Sequence, residues 1–233
     1  MNTDHEFFLM QLSDSFFPSG MFGLSNGLES LVKHNRIKNE QDVLSFIEQQ
    51  IEFQLKPCDC IIFLIAMDAA KNENIEELVE ADNKFYSMRL IKEVRNTSVR
   101  SGSQILNCIL QMILDKKKNK IAKQFQMKLQ SNETAGTYPV CLGIAANICG
   151  IPAESGIRMM LYSFSQSVIA AAIKLGIIEH ISGQKILTLL SGEINTIAKN
   201  IKKESLNNLW QLTPLTDVFQ MIHEHDNSKM FIT

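Results

Sequence analysis

Apolar residues recur at helical spacing along most of the chain, whereas the alternating β-branched runs typical of strands are scarce. Residues 39–55 show this pattern behind Asn39, a residue suited to the N-cap, and their apolar positions are Val43, Phe46, Ile47 and Ile51. The run 58–70 is apolar nearly all round, as in a helix at the centre of a bundle, and Pro57 is expected in its first turn. The pattern predicts an all-α fold.

The second half of the chain continues the helical pattern. Pro139 and Pro152 each stand where a helix could begin, and an amphipathic helix over 184–203 is predicted to close the bundle. Neither a linker nor an internal repeat divides the chain. We therefore expect residues 1–233 to form a single-domain helical bundle with a mobile N-terminus and a mobile C-terminal tail.

Composition and charge narrow the possible classes of protein. The 233 residues are 45% hydrophobic and 21% charged with only 5 Pro, so the chain is expected to fold. A net charge of -2 gives no global positive field that would attract nucleic acid or an anionic membrane. The lysines at 116–118 and 120 nevertheless keep a nucleic-acid-binding helical regulator open as an alternative.

The longest apolar stretches, residues 61–67 and 168–173, are far shorter than the roughly 18 residues that a membrane span requires. They exceed what one bundle of this size readily buries, which favours a symmetric homodimer. The N-terminus lacks the basic and then apolar order of a secretory signal, and the 5 cysteines are an odd number. These features predict a cytoplasmic protein that does not enter a membrane.

One catalytic pattern occurs near the N-terminus. Gly23, Ser25 and Gly27 spell GxSxG, and Asp217 and His223 follow in the order of an α/β-hydrolase triad. A serine hydrolase built on this pattern would need a strand leading into the turn, and no strand pattern precedes it.

The structural interpretation of the same segment is a tight glycine-bearing loop followed by a helix. In that interpretation Ser25 is a turn or capping residue, and Asn26 with Glu29 forms a capping box. The segment therefore carries two hypotheses, one catalytic and one structural.

Two residue pairs have spacings that resemble metal ligands. Cys58 and Cys60 would point to opposite sides of a helix, which favours two buried thiols, and His223 and His225 have no evident third ligand. We predict no metal site, no cofactor and no catalytic residue.

The run from residue 9 to residue 29 combines several features at fixed spacings: Pro18, Gly20, Phe22, Ser25, Gly27, Leu28 and Glu29. This run resembles the N-terminal signature of the UreF family of urease accessory proteins. Three further blocks resemble the same family, namely Glu93, Arg95, Ser98 and Gly102; residues 139–176; and Thr213, Pro214, Leu215, His223, Glu224, Ser228 and Phe231. Lys229 and Met230 stand where the family favours Arg and Leu.

The resemblance implies an all-α cytoplasmic protein, usually a dimer, that binds the accessory protein UreD, also called UreH. It further implies that the chain recruits the nickel-carrying GTPase UreG to apo-urease. Such a protein is a non-enzymatic adaptor for nickel insertion, and the nickel passes between its partners, so no cofactor is expected in this chain.

The signature, the second block and the tail supply the predicted partner-binding residues: Pro18, Gly20, Phe22, Ser25, Gly27, Glu29, Arg95, Leu215, Phe219, His223, Glu224, Ser228 and Phe231. The segment 214–233 is predicted to be mobile alone and ordered by UreD, because so short a helix is marginal in isolation. We expect its apolar stripe to lie against the partner, with Phe231 as a terminal anchor, and the stripe comprises Leu215, Val218, Phe219 and Ile222.

Overall fold

A computed structural model of the chain describes residues 4–113, 115, 117, 119–226 and 228–232, with only the backbone described for Asp4 and Phe22. The described part contains no β-strand, which confirms the all-α prediction. Its α-helices are α1 (Asp4–Ser13), α2 (Leu28–Lys33), α3 (Glu40–Gln50), α4 (Cys60–Lys71), α5 (Ile75–Met88), α6 (Lys92–Met112), α7 (Lys120–Gln130), α8 (Tyr138–Ile148), α9 (Ala153–Lys174), α10 (His180–Asn200) and α11 (Pro214–Glu224).

The core is centred on α8, which packs against both α4 and α6, while α9 packs against α10 and α1. Gly143 permits the close approach of α8 to α4, because an added Cβ would lie 2.8 Å from the carbonyl oxygen of Phe63. Residues 61–67 in α4 and 168–173 in α9 are largely buried within the single chain. The expectation that these stretches exceed what one bundle buries is therefore wrong, because the chain's own helices cover them.

A π-helix, Ile51–Asp59, joins α3 to α4 without a break. Pro57 lies inside this π-helix, so the prediction that it stands in the first turn of a separate core helix is wrong. Proline has no N–H, which leaves a carbonyl of the preceding turn without its helical donor. In the same helix, the carbonyl oxygen of Phe53 accepts a hydrogen bond from the backbone N–H of Leu212 at 2.8 Å, which attaches the C-terminal region to this helix.

The loop that enters α8 is organised by a buried carboxylate on α5. Asp82 accepts hydrogen bonds from the backbone N–H groups of Gly136 and Thr137, each at 2.7 Å, and from the hydroxyl of Thr134 at 2.5 Å. On the other side of the loop, α6 comes so close that a Cβ at Gly102 would lie 2.2 Å from the carbonyl oxygen of Gly136. This contact gives a structural reason for the glycine in the second sequence block.

Candidate functional site

The N-terminal signature forms a loop of tight turns between α1 and α2. Gly20 and Gly27 have φ values of +75° and +90°, in the left-handed region where glycine carries no steric cost. Gly27 also lies under α11, because a Cβ there would be 3.0 Å from the side chain of Gln220. The hydroxyl of Ser167 on α9 holds the loop by donating to the carbonyl oxygen of Leu24 at 2.7 Å.

The predicted capping box is wrong, because Gly27 is the N-cap of α2 and makes no side-chain cap. Ser25 takes part of that role, since its hydroxyl accepts the backbone N–H of Glu29 at 3.4 Å. The carboxylate of Glu29 does not fold back on the helix terminus, because it is directed to the C-terminal tail.

Glu29 is the residue that joins the N-terminal signature to the tail. Its carboxylate, which is almost completely buried, accepts the backbone N–H of Met230 at 2.9 Å and the backbone N–H of Phe231 at 3.1 Å. Lys33, one turn later on α2, lies 3.2 Å from the same carboxylate and also pairs with Asp226 at 2.8 Å. A single carboxylate thus holds the two backbone amides of a tail that lies about 200 residues away in sequence.

The imidazole of His223 on α11 lies between two carboxylates. Its Nε2 is 3.2 Å from Glu29 on α2, and its Nδ1 is 2.8 Å from Glu93 at the start of α6. An ionised carboxylate only accepts hydrogen bonds, so the ring satisfies both neighbours only when both nitrogens carry protons. Lys229 from the tail adds an ion pair to the other oxygen of Glu93. We call Glu29, Glu93, His223 and Lys229 the carboxylate cluster.

Both carboxylates of this cluster are held in the ionised form. Burial raises the pKa of Glu29, but hydrogen bonds from Met230, His223 and Phe231 outweigh burial and lower that pKa below its ordinary value. Burial likewise raises the pKa of Glu93, and Lys229 with His223 lowers it further than burial raises it. The cluster is therefore a set of charge-assisted contacts that weakens when its carboxylates take up protons.

The second sequence block lies along one helix, α6, and each of its members has a structural partner. Glu93 belongs to the carboxylate cluster, and its backbone N–H donates to the carboxylate of Glu224 at 2.7 Å. Arg95 donates to the carbonyl oxygen of Arg89 at 3.2 Å, and Ser98 accepts the backbone N–H at the start of α8 at 3.1 Å. The block therefore connects α11, the end of α5 and the start of α8.

The C-terminal segment divides into a buried side and an exposed side. The side that faces α2 and α6 buries Thr216, Phe219, Gln220 and His223. Phe231 is also buried, with the ammonium group of Lys174 lying 5.5 Å from its ring centroid. The expectation that Phe219 and Phe231 lie against a partner thus disagrees with this conformation, because both rings pack on the chain's own core.

The exposed side of α11 carries large apolar side chains, and so do the segments that contain Phe53, Leu90 and Leu212. The backbone bond from Leu212 to Phe53 and the bond from the Gln211 amide to the carbonyl oxygen of Met88 bring the segments together. We call this surface the C-terminal apolar face, and its side chains are 42% to 72% exposed: Phe53, Leu90, Leu212, Leu215 and Val218. Large apolar side chains that are exposed on segments joined by hydrogen bonds are typical of interaction sites.

The remaining predicted site residues lie in three places. Pro18 is exposed in the signature loop, and Gln104, with its amide oriented to donate, reaches the carbonyl oxygen of Pro18 at 2.9 Å. The side chain of Phe22 lies outside the described part. The carbonyl oxygen of Ser228 accepts from the ammonium group of Lys33, so this tail residue is held near the carboxylate cluster.

The hydrolase triad is not assembled. Both ring nitrogens of His223 face carboxylates, and Asp217 accepts a hydrogen bond from the hydroxyl of Thr213 at 3.2 Å on its own helix. Ser25 serves the start of α2, as described above, and no strand leads into its turn within the described residues. The structure therefore favours the structural interpretation of the GxSxG segment.

The two residue pairs with metal-ligand spacing do not form a metal site in the described part of the chain. Burial raises the pKa of the Cys58 thiol to about 12, and His223 is buried whereas His225 is exposed. Over the described ranges, no three His, Cys, Asp or Glu side chains are grouped as metal ligands would be.

Lys120 pairs with Glu73, while the lysines at 116 and 118 lie outside the described residues. Within the same ranges, none of the helices has the length and apolarity that crossing a bilayer would need.

The sequence did not identify the lysines that pair with carboxylates near the tail. It also did not identify the C-terminal apolar face or the buried ion pair close to it. Lys33 and Lys229 bind carboxylates across the carboxylate cluster, and Arg89 with Asp59 forms a buried ion pair under the apolar face. No local pattern identifies these residues, because each contact joins segments that are distant in sequence.

Comparison with known proteins places the chain among relatives of one kind. A family model described as UreF matches residues 37–191. A protein named Urease accessory protein UreF from Trichodesmium erythraeum is 29% identical over 96% of this chain and 94% of the relative. Urease accessory protein UreF 1 from Brucella melitensis is 25% identical, over 96% and 91% of the two chains, and the UreF protein of Photorhabdus laumondii is 25% identical over 96% of each.

Proposed function

This chain belongs to the UreF family of urease accessory proteins, and from that membership we propose that it is an adaptor in nickel insertion. It binds UreD, also called UreH, and brings the nickel-carrying GTPase UreG to apo-urease. As a member of an accessory-protein family the chain is not an enzyme. We place this activity in the cytoplasm, a reducing compartment in which disulfides are rare.

The observation that carries the proposal is the C-terminal apolar face. Leu90 is 72% exposed and Leu212 is 64% exposed, although both are large aliphatic side chains. Burying such side chains against a partner gains roughly 25 cal/mol for each Å² removed from water. Leu215 and Val218 are held in place through their helix, because hydrogen bonds of His223 and Glu224 fix α11 on α2 and α6. We therefore assign the UreD contact to this face.

A binding experiment tests this assignment. The double variant Leu215→Asp with Val218→Asp introduces two charges into the C-terminal apolar face without touching the buried side of α11. It should lose co-purification with UreD, and with it the recovery of UreG. The matched control is Ile181→Asp, because Ile181 is 71% exposed on α10. Retained UreD binding by the double variant would contradict the assignment.

We also propose that the chain forms a homodimer through a second surface. A groove of about 590 Å³ lies between α1, α9 and α10, and its apolar lining includes Leu9, Met10, Met159, Tyr162, Leu187 and Ile194. Phe7 and Met10 on α1 are each 64% exposed, and Met10 is the one that lines the groove. A surface that carries both an apolar groove and apolar projections can pair with a copy of itself about a two-fold axis.

Light scattering tests the dimer. Met10→Glu should convert the protein to a monomer, whereas Met127→Glu, at a residue that is 62% exposed on α7, should leave the dimer intact. A wild-type chain that is monomeric over a wide concentration range would contradict the proposal.

A further inference from the structure

The C-terminal apolar face is assembled from three separate parts of the chain. Phe53 lies in the π-helix, Leu90 lies between α5 and α6, and Leu212 lies in residues 209–213, which form neither helix nor strand. A segment without internal hydrogen bonds has its conformation set by what it touches. The shape of the face therefore depends on the contacts of residues 209–213.

Gln211 makes two of these contacts with its side chain alone. Its Oε1 accepts a hydrogen bond from Nη1 of Arg89 at 2.6 Å, and its Nε2 donates to the carbonyl oxygen of Met88 at 2.8 Å. The acceptor and the donor of the Gln211 amide thus bind two consecutive residues, Arg89 and Met88, at the end of α5. The bond from the guanidinium is charge-assisted, which makes it stronger than a neutral hydrogen bond.

Arg89 is itself fixed by the core. It is buried, it forms an ion pair with Asp59 at the end of the π-helix, and its guanidinium carbon lies 4.5 Å from the ring centroid of Phe85. A buried guanidinium N–H without an acceptor is costly. Nη1 of Arg89 is therefore expected to keep its hydrogen bond to Gln211, because losing it would leave a buried N–H without this acceptor.

We propose that Gln211 is a positioning residue for partner docking: it ties residues 209–213 to Arg89 and so fixes Leu212 beside Leu90 and Phe53. The proposal rests on the function assigned to the C-terminal apolar face. A face that is already in place avoids the entropy cost of ordering the segment on binding. Removing the tie should weaken docking while the helical bundle stays folded.

The chain provides its own probe for this proposal, because Trp210 is its only tryptophan and lies next to Gln211. Gln211→Met keeps the size of the side chain but makes neither hydrogen bond. It should lower the fluorescence anisotropy of Trp210 and raise its quenching by acrylamide, with the far-UV circular dichroism unchanged. Gln211→Glu keeps an acceptor for Arg89 and should restore the wild-type anisotropy. Asn208→Met, at an exposed residue of the same region, is the matched control.

The second measurement is the affinity of the same purified variants for UreD. Gln211→Met should weaken binding about tenfold or more, since ordering even one or two backbone residues costs this much, and Gln211→Glu should bind nearly as the wild type does. Unchanged Trp210 anisotropy in Gln211→Met would overturn the proposal. So would a loosened Trp210 with unchanged affinity, and so would loss of the helical signal. A wild-type chain with no affinity for UreD would instead refute the docking function itself, and the positioning role would fall with it.

Discussion

Glu29 accepts a hydrogen bond from the backbone N–H of Phe231 at 3.1 Å, although 202 residues separate them. This bond attaches the C-terminal tail to the N-terminal signature. The signature supplies the glycine turn and the buried carboxylate, and the tail supplies the backbone amides that the carboxylate holds. Lys33 adds positive charge to the same carboxylate, and Nε2 of His223 lies 3.2 Å from it.

Removal of the Glu29 carboxylate should release the tail. Glu29→Ala leaves Nε2 of His223 and the backbone N–H groups of Met230 and Phe231 without their acceptor, and the contacts of His223 and Phe231 are buried. Breaking a buried charged contact of this kind costs about 3–5 kcal/mol. We expect a lower midpoint of urea unfolding and rapid tryptic cleavage at Lys229, measured on the purified chain.

The control for this variant is Glu76→Ala, because Glu76 is exposed on α5 and lies away from the tail. It should leave both the unfolding midpoint and the cleavage rate near those of the wild type. A Glu29→Ala protein that keeps wild-type resistance at Lys229 would show that Glu29 does not hold the tail.

Acid should loosen the tail before it unfolds the core. The pKa values of Glu29 and Glu93 in the folded chain lie below their ordinary value of 4.5, so their stabilising contribution is complete above that pH. It is lost as the pH falls through the folded pKa values. The amide signals of Met230 and Phe231 in NMR spectra should therefore lose protection from solvent exchange below about pH 4.5. Loss of protection at pH 6 would contradict this account.

Gly102→Ala should destabilise the fold strongly. Its Cβ would lie 2.2 Å from the carbonyl oxygen of Gly136, which belongs to the loop that Asp82 holds. Overpacking of this kind costs about 1–3 kcal/mol, and more where the backbone has to shift. Gly192→Ala is the matched control, because Gly192 is helical with open space around it, and there alanine gains about 0.5–1 kcal/mol. Thermal unfolding of the two variants should shift in opposite directions.

Ser25→Ala should change stability only slightly. The hydroxyl accepts the N–H of Glu29 at 3.4 Å, and loss of such a cap costs about 1 kcal/mol. Urease activation by this variant should remain close to that of the wild type. Complete loss of activation in a folded variant that still binds UreD would revive a chemical role for the serine.

The helices could be predicted from the sequence, but most of the site could not. Periodicity of apolar residues reports burial within one helix, so it identified the helix behind Asn39 and the apolar core helix. It does not report contacts between distant segments. The capping box predicted for Asn26 and Glu29 is therefore wrong, because Glu29 accepts hydrogen bonds from the tail. Apolar spacing likewise places Leu215 and Phe219 on one stripe of a helix, although Phe219 is buried and Leu215 is exposed in the fold.

We propose that this chain promotes urease maturation through its C-terminal apolar face, and urease activity in cells measures that role. Cells that express urease but have lost their own UreF gene would be supplied with the wild type, with the Leu215→Asp and Val218→Asp double variant, or with Ile181→Asp. We expect activity to return with the wild type and with Ile181→Asp, and to stay absent with the double variant at equal protein levels. Full activity with the double variant, or none with the wild type, would contradict the account.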